Sequence, residues 1–317
     1  MYSGARFPSV TMRRLPSLLV LPLLLAATCH AQMADTILAN YEVTPNVTYL
    51  VANNTELKLD IYRRKTSSPN PTVIFIHGGG WVSGSKEAAV LWTLPYLEMG
   101  FSVVNVEYRL GHNSLAPAAV EDCRCALRWV VRNAEKYHFD PNRIITSGDS
   151  AGGHLALMSA MVPRSAGFDD ECPAERWTSA DKSEVKVAAV VNWYGITDVA
   201  DVLDGPNAKG YAVEWFGSQS NRKQLAPQLS PIAYVTAQTP PVITIHGDQD
   251  KVVPYSHALR LHEALKKAGV ANQLVTIPGG GHDGFTAQQL SSSWDAIRKF
   301  LGAHNLLPSQ TPPTKMD

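Results

Sequence analysis

From residue 72 onward, short runs rich in β-branched residues alternate with longer amphipathic stretches. The short runs are nearly continuous in apolar residues, which is typical of strands that are buried on both faces. This alternation predicts an α/β fold, in which a mostly parallel sheet lies between helices on both faces. We predict strands at 72–77, 102–108, 143–148, 187–193, 241–247 and 273–278, and helices near 86–99, 117–138, 151–162, 256–268 and 290–304.

Ahead of this pattern, residues 47–51 and 56–63 alternate apolar and polar side chains around ANNT, which predicts an N-terminal antiparallel hairpin. Of the 317 residues, 45% are hydrophobic and 18% are charged, so the chain can build one large core. We expect a single domain over 32–307, with insertions near 163–184 and 198–240 and a disordered tail at 308–317. The net charge of zero gives no reason to expect nucleic acid as a partner.

The first residues have the three parts of a secretory signal peptide. Arg13 and Arg14 precede the apolar stretch LPSLLVLPLLLAAT, and CHAQ follows it. We expect a signal peptide over 1–31 with cleavage after Ala31, and a secreted or periplasmic mature chain. Two prolines break the apolar run, which argues against a stable membrane span. Met1 and Met12 both remain candidate starts.

Three cysteines follow the predicted cleavage site. Export permits a disulfide, and Cys172 could pair with Cys123 or with Cys125. Those two residues are two apart on a predicted helix, so they point to different faces. Three buried thiols are the remaining alternative.

One serine lies in a glycine-rich turn between a predicted strand and a predicted helix, in RIITSGDSAGGHLAL. The turn has the form G-x-S-x-G, from Gly148 to Gly152. Such a sharp reversal strains the backbone of Ser150 and leaves no room for side chains at the flanking positions. It presents the hydroxyl at the carboxyl edge of the sheet, ahead of a helix N-terminus that favours negative charge. Ser150 is therefore the candidate nucleophile.

A second glycine-rich loop, in FIHGGGW, follows the first predicted parallel strand. The N–H groups of Gly79 and Gly80, with that of Ala151, could hold the oxyanion of a tetrahedral intermediate. A phosphate-binding loop would require Gly-Lys-Ser/Thr, which this segment does not supply.

The nucleophile needs a base and a carboxylate that orients the base. Of the ten histidines, His282 lies in the loop GGGHDGF between the last predicted strand and the last helix. Asp250 and Asp248 both follow the strand 241–247. We select Asp250, because Asp248 is better placed to bond backbone N–H groups of its own turn. The order Ser150, Asp250, His282 is that of α/β-hydrolases.

On these residues the chain resembles the α/β-hydrolase superfamily, specifically secreted esterases near the hormone-sensitive lipase group. It looks most like the bacterial feruloyl and acetyl-xylan esterase-like branch. The segments that carry the resemblance are LKLDIYR, IHGGGWVSGSK, VEYRL, EDCRCALRWV, GDSAGGHLAL, HGDQDKVVP and GGGHDGF. It implies Ser150 as nucleophile, Asp250 as acid, His282 as base, and Gly79, Gly80 and Ala151 as oxyanion donors. The helical N-terminal cap of lipase-like members is absent, so their acyl preference does not carry over.

Three aromatic residues are candidates for the substrate site. Trp81 follows the oxyanion loop, and Trp215 and Phe216 lie in the insertion 198–240. They could line an acyl pocket; packing of the insertion and the loop is the alternative.

The sequence therefore predicts a serine carboxylic ester hydrolase that forms an acyl-enzyme. We expect it to act on acetyl, short-chain or feruloyl esters of small molecules or polymers, with no cofactor and no metal. An amidase or peptidase of the same fold is the alternative, and a catalytically dead binding module is a further one. Acyl and alcohol specificity and the oligomeric state stay open.

Overall fold

The computed structural model describes residues 39–170, 172 and 184–309. The chain separates into two units, residues 1–40 and 41–317, and only Ala39 and Asn40 of the first are described. The predicted signal peptide, most of residues 171–183 and the tail beyond residue 309 lie outside the described residues. The sheet and the helices that cover it all belong to the second unit.

Eight strands form one sheet in the order β1-β2-β4-β3-β5-β6-β7-β8. From β3 to β8 every neighbouring pair is parallel, whereas β1 and β2 pair antiparallel with each other and β2 with β4. This confirms the predicted α/β fold and the N-terminal hairpin. The strands are β1 Tyr41–Ala52, β2 Thr55–Arg64, β3 Asn70–Ile76, β4 Ser102–Val106, β5 Phe139–Asp149, β6 Ala189–Trp193, β7 Val242–Gly247 and β8 Asn272–Ile277.

Nine α-helices are described. They are α1 Val90–Glu98, α2 Ala118–Arg132, α3 Ala134–Tyr137, α4 Ala151–Met161, α5 Val199–Leu203, α6 Gly210–Phe216, α7 Arg222–Gln228, α8 Ser256–Lys267 and α9 Ala287–Ala303. The insertion 198–240 holds three short helices and a 3₁₀ turn at Pro231–Tyr234.

The turn between β1 and β2 is built by two asparagines. Asn53 and Asn54 have φ angles of 48° and 57°, the left-handed conformation that a two-residue hairpin turn requires. Asparagine tolerates that conformation better than most residues. The hairpin is thereby closed tightly, and β2 extends the parallel sheet through its antiparallel pairing with β4.

The sheet is covered on both faces, as its buried strands require. All seven residues of β3 are buried. Ile74 and Ile76 join a hydrophobic cluster with residues of α2 and α4, whereas the ring of Phe75 stacks on Trp92 of α1. Alternate side chains of one strand therefore pack against different helix layers.

A disulfide joins Cys125 of α2 to Cys172, which settles the alternatives left open by the sequence. Cys123 is a buried free thiol. Beside the disulfide, the buried Arg124 guanidinium bonds both carboxylate oxygens of Asp169, at 2.6 and 2.9 Å. The segment that follows α4 is therefore attached to α2 by a covalent bond and an ion pair.

Two histidines of α8 are buried by neighbouring segments. His257 is fully buried and its Nε2 lies 3.1 Å from Asp201 Oδ2 of α5, while His262 is 8% exposed and its Nδ1 lies 2.9 Å from Asn272 Oδ1 of β8. Within the described residues, no helix has the length and apolarity needed to cross a bilayer.

Candidate active site

Ser150 lies at the junction of β5 and α4, at the carboxyl edge of the sheet. Its φ of 54° and ψ of −120° place it in a strained conformation for a residue with a side chain. A Cβ at Gly148 would lie 2.4 Å from Ile76 O, and one at Gly152 would lie 2.0 Å from the same oxygen. Both flanking glycines are therefore required by close backbone approach, which holds the serine hydroxyl above the first turn of α4.

His282 reaches Ser150 from the loop that follows β8. The imidazole Nε2 lies 2.8 Å from Ser150 Oγ, although 132 residues separate them. The loop crosses the end of β7 at very close range, since a Cβ at Gly247 would lie 2.3 Å from the carbonyl oxygens of Gly280 and Gly281. The glycines let this backbone pass over the end of β7, which brings the imidazole to β5.

Asp250 bonds the other ring nitrogen of His282. Its Oδ2 lies 2.7 Å from His282 Nδ1. An ionised carboxylate only accepts hydrogen bonds, so Nδ1 carries the proton and Nε2 is free to accept from the Ser150 hydroxyl. The three residues thus form a continuous hydrogen-bonded chain, in the protonation state that general base catalysis requires.

Asp250 is the aspartate that bonds His282, but the reason for selecting it was wrong: Asp250, and not Asp248, also bonds the N–H groups of its own turn. Asp250 Oδ1 accepts the N–H groups of Val252 and Val253 in its own turn, at 2.8 and 2.9 Å. Asp248 instead accepts the N–H of Gly279, at 2.8 Å, in the loop that carries His282. One aspartate therefore orients the base and the other anchors its loop.

A second histidine, which the sequence analysis did not single out, also bonds the acid. The Nε2 of His246, on β7, lies 3.1 Å from Asp250 Oδ2 and 3.0 Å from Val253 O. Both neighbours are acceptors, so Nε2 carries the proton. Burial alone would raise the pKa of Asp250, but the hydrogen bonds from His246 and His282 hold it well below its usual range. The carboxylate stays ionised although it is buried.

The nucleophile turn and the glycine-rich loop after β3 carry the three N–H groups that the sequence assigns to an oxyanion. Within the described residues, the N–H groups of Gly79, Gly80 and Ala151 have no acceptor. Gly79 has a φ of 118°, and a Cβ there would lie 2.0 Å from Ser83 O, so only glycine fits. The oxyanion donors inferred from the sequence are thus available at a loop and at a helix N-terminus, where preorganised donors act most strongly.

The oxyanion loop is attached to the nucleophile turn by Asp149. Its Oδ1 accepts the N–H of Gly78 at 2.9 Å, and its Oδ2 lies 2.3 Å from where a Cβ on Gly78 would be. Burial raises the pKa of this carboxyl to about 6, against the opposing effects of backbone hydrogen bonds and the nearby His282. The residue before the nucleophile therefore positions the loop that follows β3.

The three aromatic residues expected to line the substrate site do not present surface to it. Trp81, Trp215 and Phe216 are each fully buried. The rings of Trp81 and Trp215 stack with centroids 4.2 Å apart, and Trp81 Nε1 donates to His154 Nδ1 at 3.1 Å. The expected binding role for these residues does not agree with the structure, because their rings pack against one another and against His154.

A different aromatic set lines a cavity of about 420 Å³ beside the base. Tyr194, which follows β6, has its ring centroid 4.6 Å from that of His282. The sequence reasoning missed this set, although Phe285 stands in the same loop, GGGHDGF, as the base. The aromatic lining residues are Trp92, Tyr194, Phe285 and Trp294.

Comparison with known proteins agrees with this geometry. The family model BD-FAE matches residues 59–265 of the chain. Esterase LipC of Mycobacterium tuberculosis is 30% identical over 71% of this chain, which spans 56% of LipC, little more than half of that relative. The ethyl acetate hydrolase of Pseudomonas putida is 29% identical over 72% of this chain and 71% of its own length.

A solved structure shows the same fold. The esterase Est2 of the planctomycete Thermogutta terrifontis is 26% identical, with a TM-score of 0.69 over 86% of this chain and 95% of its own. It has also been solved with propionate bound and phosphorylated by paraoxon. The α/β-hydrolase architecture and the match over most of the chain lead to one conclusion: the chain belongs to the BD-FAE family.

Proposed function

We propose that this protein is a serine carboxylic ester hydrolase that works through an acyl-enzyme. The observation that carries the proposal is the hydrogen-bonded chain from Ser150 Oγ through His282 to Asp250. The N–H groups of Gly79, Gly80 and Ala151 have no acceptor among the described residues, and the loop of the two glycines is bonded to the nucleophile turn through Asp149. These parts are what acyl transfer requires: an activated nucleophile, an oriented base and donors for a developing oxyanion.

The reaction proceeds in two halves. His282 Nε2 takes the proton of Ser150 Oγ as that oxygen attacks the ester carbonyl carbon. The carbonyl oxygen becomes an oxyanion that accepts the N–H groups of Gly79, Gly80 and Ala151. When the tetrahedral intermediate collapses, His282 gives its proton to the leaving alcohol. A water then attacks the acyl-enzyme with His282 again as base, and the carboxylic acid is released.

Acetyl and other short acyl esters are the proposed substrates. One relative is an ethyl acetate hydrolase, and Est2 of Thermogutta terrifontis has been solved with propionate. Paraoxon, an organophosphate that phosphorylates that same esterase, is a reagent for activated serines. Feruloyl esters stay in the proposal as an aromatic acyl class to be tested.

We also propose that the protein is exported and that its signal peptide is cleaved after Ala31. The charged and apolar pattern of residues 1–31 supports a signal peptide, and the Cys125–Cys172 disulfide fits an oxidising compartment. N-terminal sequencing of the exported protein should find Gln32 as its first residue. An unprocessed N-terminus in the exported protein would contradict the proposed cleavage.

The catalytic assignment is tested with Ser150→Ala. This change should abolish turnover of p-nitrophenyl acetate and covalent labelling by a fluorophosphonate, since the attacking oxygen is lost. Far-ultraviolet circular dichroism should show that the variant is folded. Turnover close to that of the wild type would refute the assignment. A wild type that hydrolyses the amide faster than the ester of the same acyl group would favour the amidase.

A further inference from the structure

We infer that the aromatic cavity beside His282 holds the alcohol part of the substrate and prefers an apolar or aromatic alcohol. This rests on the proposed function and names a specificity site within it. The aromatic cavity is the space of about 420 Å³ lined by Leu91, Trp92, Tyr194, Phe285, Leu290 and Trp294 among others.

The position of the cavity assigns it to one side of the ester. Residues 283–285, which line it, directly follow His282, and the Tyr194 ring packs on the imidazole. His282 Nε2 must hand its proton to the leaving oxygen, so that oxygen lies next to the imidazole during collapse. The group attached to the leaving oxygen therefore enters the space on the imidazole side. The acyl group stays bonded to Ser150 Oγ through this step.

The lining of the cavity selects the chemistry of that group. Trp92 of α1, Phe285 and Trp294 of α9 are partly exposed, unlike the fully buried Trp81 and Trp215. Their rings are accessible to a ligand, and burial of an apolar group against such rings is favourable. Asp283 is the acidic lining residue and is exposed, so an anionic alcohol would be repelled.

The size of the cavity also agrees with an aromatic alcohol. Small-molecule sites in proteins range from about 300 to 1,000 Å³, and this cavity lies near the lower end. A single substituted ring fits such a space, whereas ethanol would leave most of it filled with water. We therefore expect a larger apolar alcohol to raise kcat/KM.

The test compares two pairs of esters on the full chain. In the alcohol pair, benzyl acetate is compared with ethyl acetate, which keeps the acyl group constant. In the acyl pair, ethyl phenylacetate is compared with ethyl acetate, which keeps the alcohol constant. Release of acid is followed by pH-stat, so all three esters are measured in the same way.

The wild type should favour benzyl acetate over ethyl acetate by about tenfold or more in kcat/KM. Phe285→Ala and Trp92→Leu should each lower that ratio by about tenfold, because the apolar wall is reduced. In both variants the kcat/KM ratio for the acyl pair should stay within about twofold of the wild-type ratio. Benzyl alcohol should inhibit the wild type competitively, with a KI that rises about tenfold in both variants.

Two variants are needed because Phe285 belongs to the loop of the base, whereas Trp92 belongs to α1. Leu259→Ala, at a half-exposed position of α8, is the control, and both ratios should be those of the wild type. Thermal unfolding of each variant checks the fold.

A change confined to the acyl pair would overturn the inference, because the cavity would then hold the acyl group. Unchanged ratios in both pairs would also overturn it. A wild type that hydrolyses none of the three esters and resists fluorophosphonate would instead refute the proposed function.

Discussion

At the scale of single residues, the site depends on two buried carboxylates that play different parts. Asp250 is surrounded by four donors, the N–H groups of Val252 and Val253 and the imidazoles of His246 and His282. Within the described part of the chain, Asp149 bonds only one N–H from another segment, that of Gly78. The first carboxylate is held as an anion, whereas the second favours its neutral form up to about pH 6. Two variants test these assignments.

Replacing His246 by Phe removes one donor from Asp250 while keeping a ring of similar shape. We expect kcat to fall about tenfold, in line with the loss of one hydrogen bond to a charged group. The carboxylate of Asp250 then loses one of the donors that lower its pKa. His246→Gln can still donate and should restore much of kcat. A kcat that stays as low in His246→Gln as in His246→Phe would mean that His246 only packs.

Asp149→Asn should change how stability depends on pH. In the folded protein the pKa of Asp149 is raised from 3.8 to about 6, so the fold favours the protonated form. Protonated Asp149 therefore contributes roughly 3 kcal/mol to the free energy of unfolding below pH 4. This contribution is lost as the pH rises through about 6. Asparagine keeps an oxygen for the Gly78 N–H and does not titrate.

Urea unfolding at pH 4, 5, 6 and 7 measures this effect. The free energy of unfolding of the wild type, relative to Asp149→Asn, should fall across that range. A difference that is constant with pH would contradict the raised pKa of Asp149.

At the scale of elements, α6 determines the shape of the oxyanion loop. Tyr211 packs directly over Gly80, where an added Cβ would lie 2.8 Å from Tyr211 Cβ. The Trp81–Trp215 stack and a hydrogen bond from Gly111 N to Trp81 O fix the residue that follows. The insertion 198–240 therefore acts as a support for the catalytic loop, in addition to any effect on substrate access.

Gly80→Ala tests that support. The new methyl group forces α6 or the loop to move, and the φ of 59° at this position is unfavourable for alanine. Because an oxyanion donor is displaced, kcat should fall by about 10²–10³. Gly279→Ala is the matched control: its φ is 69°, but no atom lies within 4 Å of the added Cβ. If the control loses as much activity, backbone strain alone explains the effect.

The elements and the reacting residues could be predicted from the sequence because local patterns determine them. Alternation of strand and helix orders the sheet, and parallel strands end at one edge, where Ser150, Asp250 and His282 meet. The substrate site could not be predicted in the same way. Whether an aromatic ring is buried or accessible depends on neighbours distant in the chain: Trp81 lies under α6, while Trp92 and Trp294 lie on helices about two hundred residues apart. No local sequence pattern indicates which rings will be covered by such distant neighbours.

At the scale of the whole molecule, the stability of the fold depends on a disulfide. The Cys125–Cys172 bond joins residues 47 apart in the chain and lies beside the buried Arg124–Asp169 pair. Such a bond stabilises a fold largely by restricting the unfolded chain. The stability of the fold therefore depends on redox conditions, because the bond forms only where thiols become oxidised.

Cys172→Ala should lower the free energy of unfolding by about 2–4 kcal/mol, measured by urea denaturation without reductant. Dithiothreitol should destabilise the wild type to a similar extent and leave Cys172→Ala unchanged. Cys123→Ala is the control, since Cys123 is a free thiol and its variant should still respond to dithiothreitol. Identical urea midpoints for wild type and Cys172→Ala would show that the bond is absent or contributes little.

The strand that leads to His282 lies at the edge of the sheet. Among the described strands β8 pairs only with β7, and most of its residues are partly or fully exposed. Edge segments with few buried contacts open locally at a lower free energy than central strands do. On heating, fraying of β8 would carry His282 away from Ser150 while the central strands stay intact. Enzymatic inactivation should therefore precede global melting, and amide hydrogen exchange in β8 should be faster than in β3 or β5.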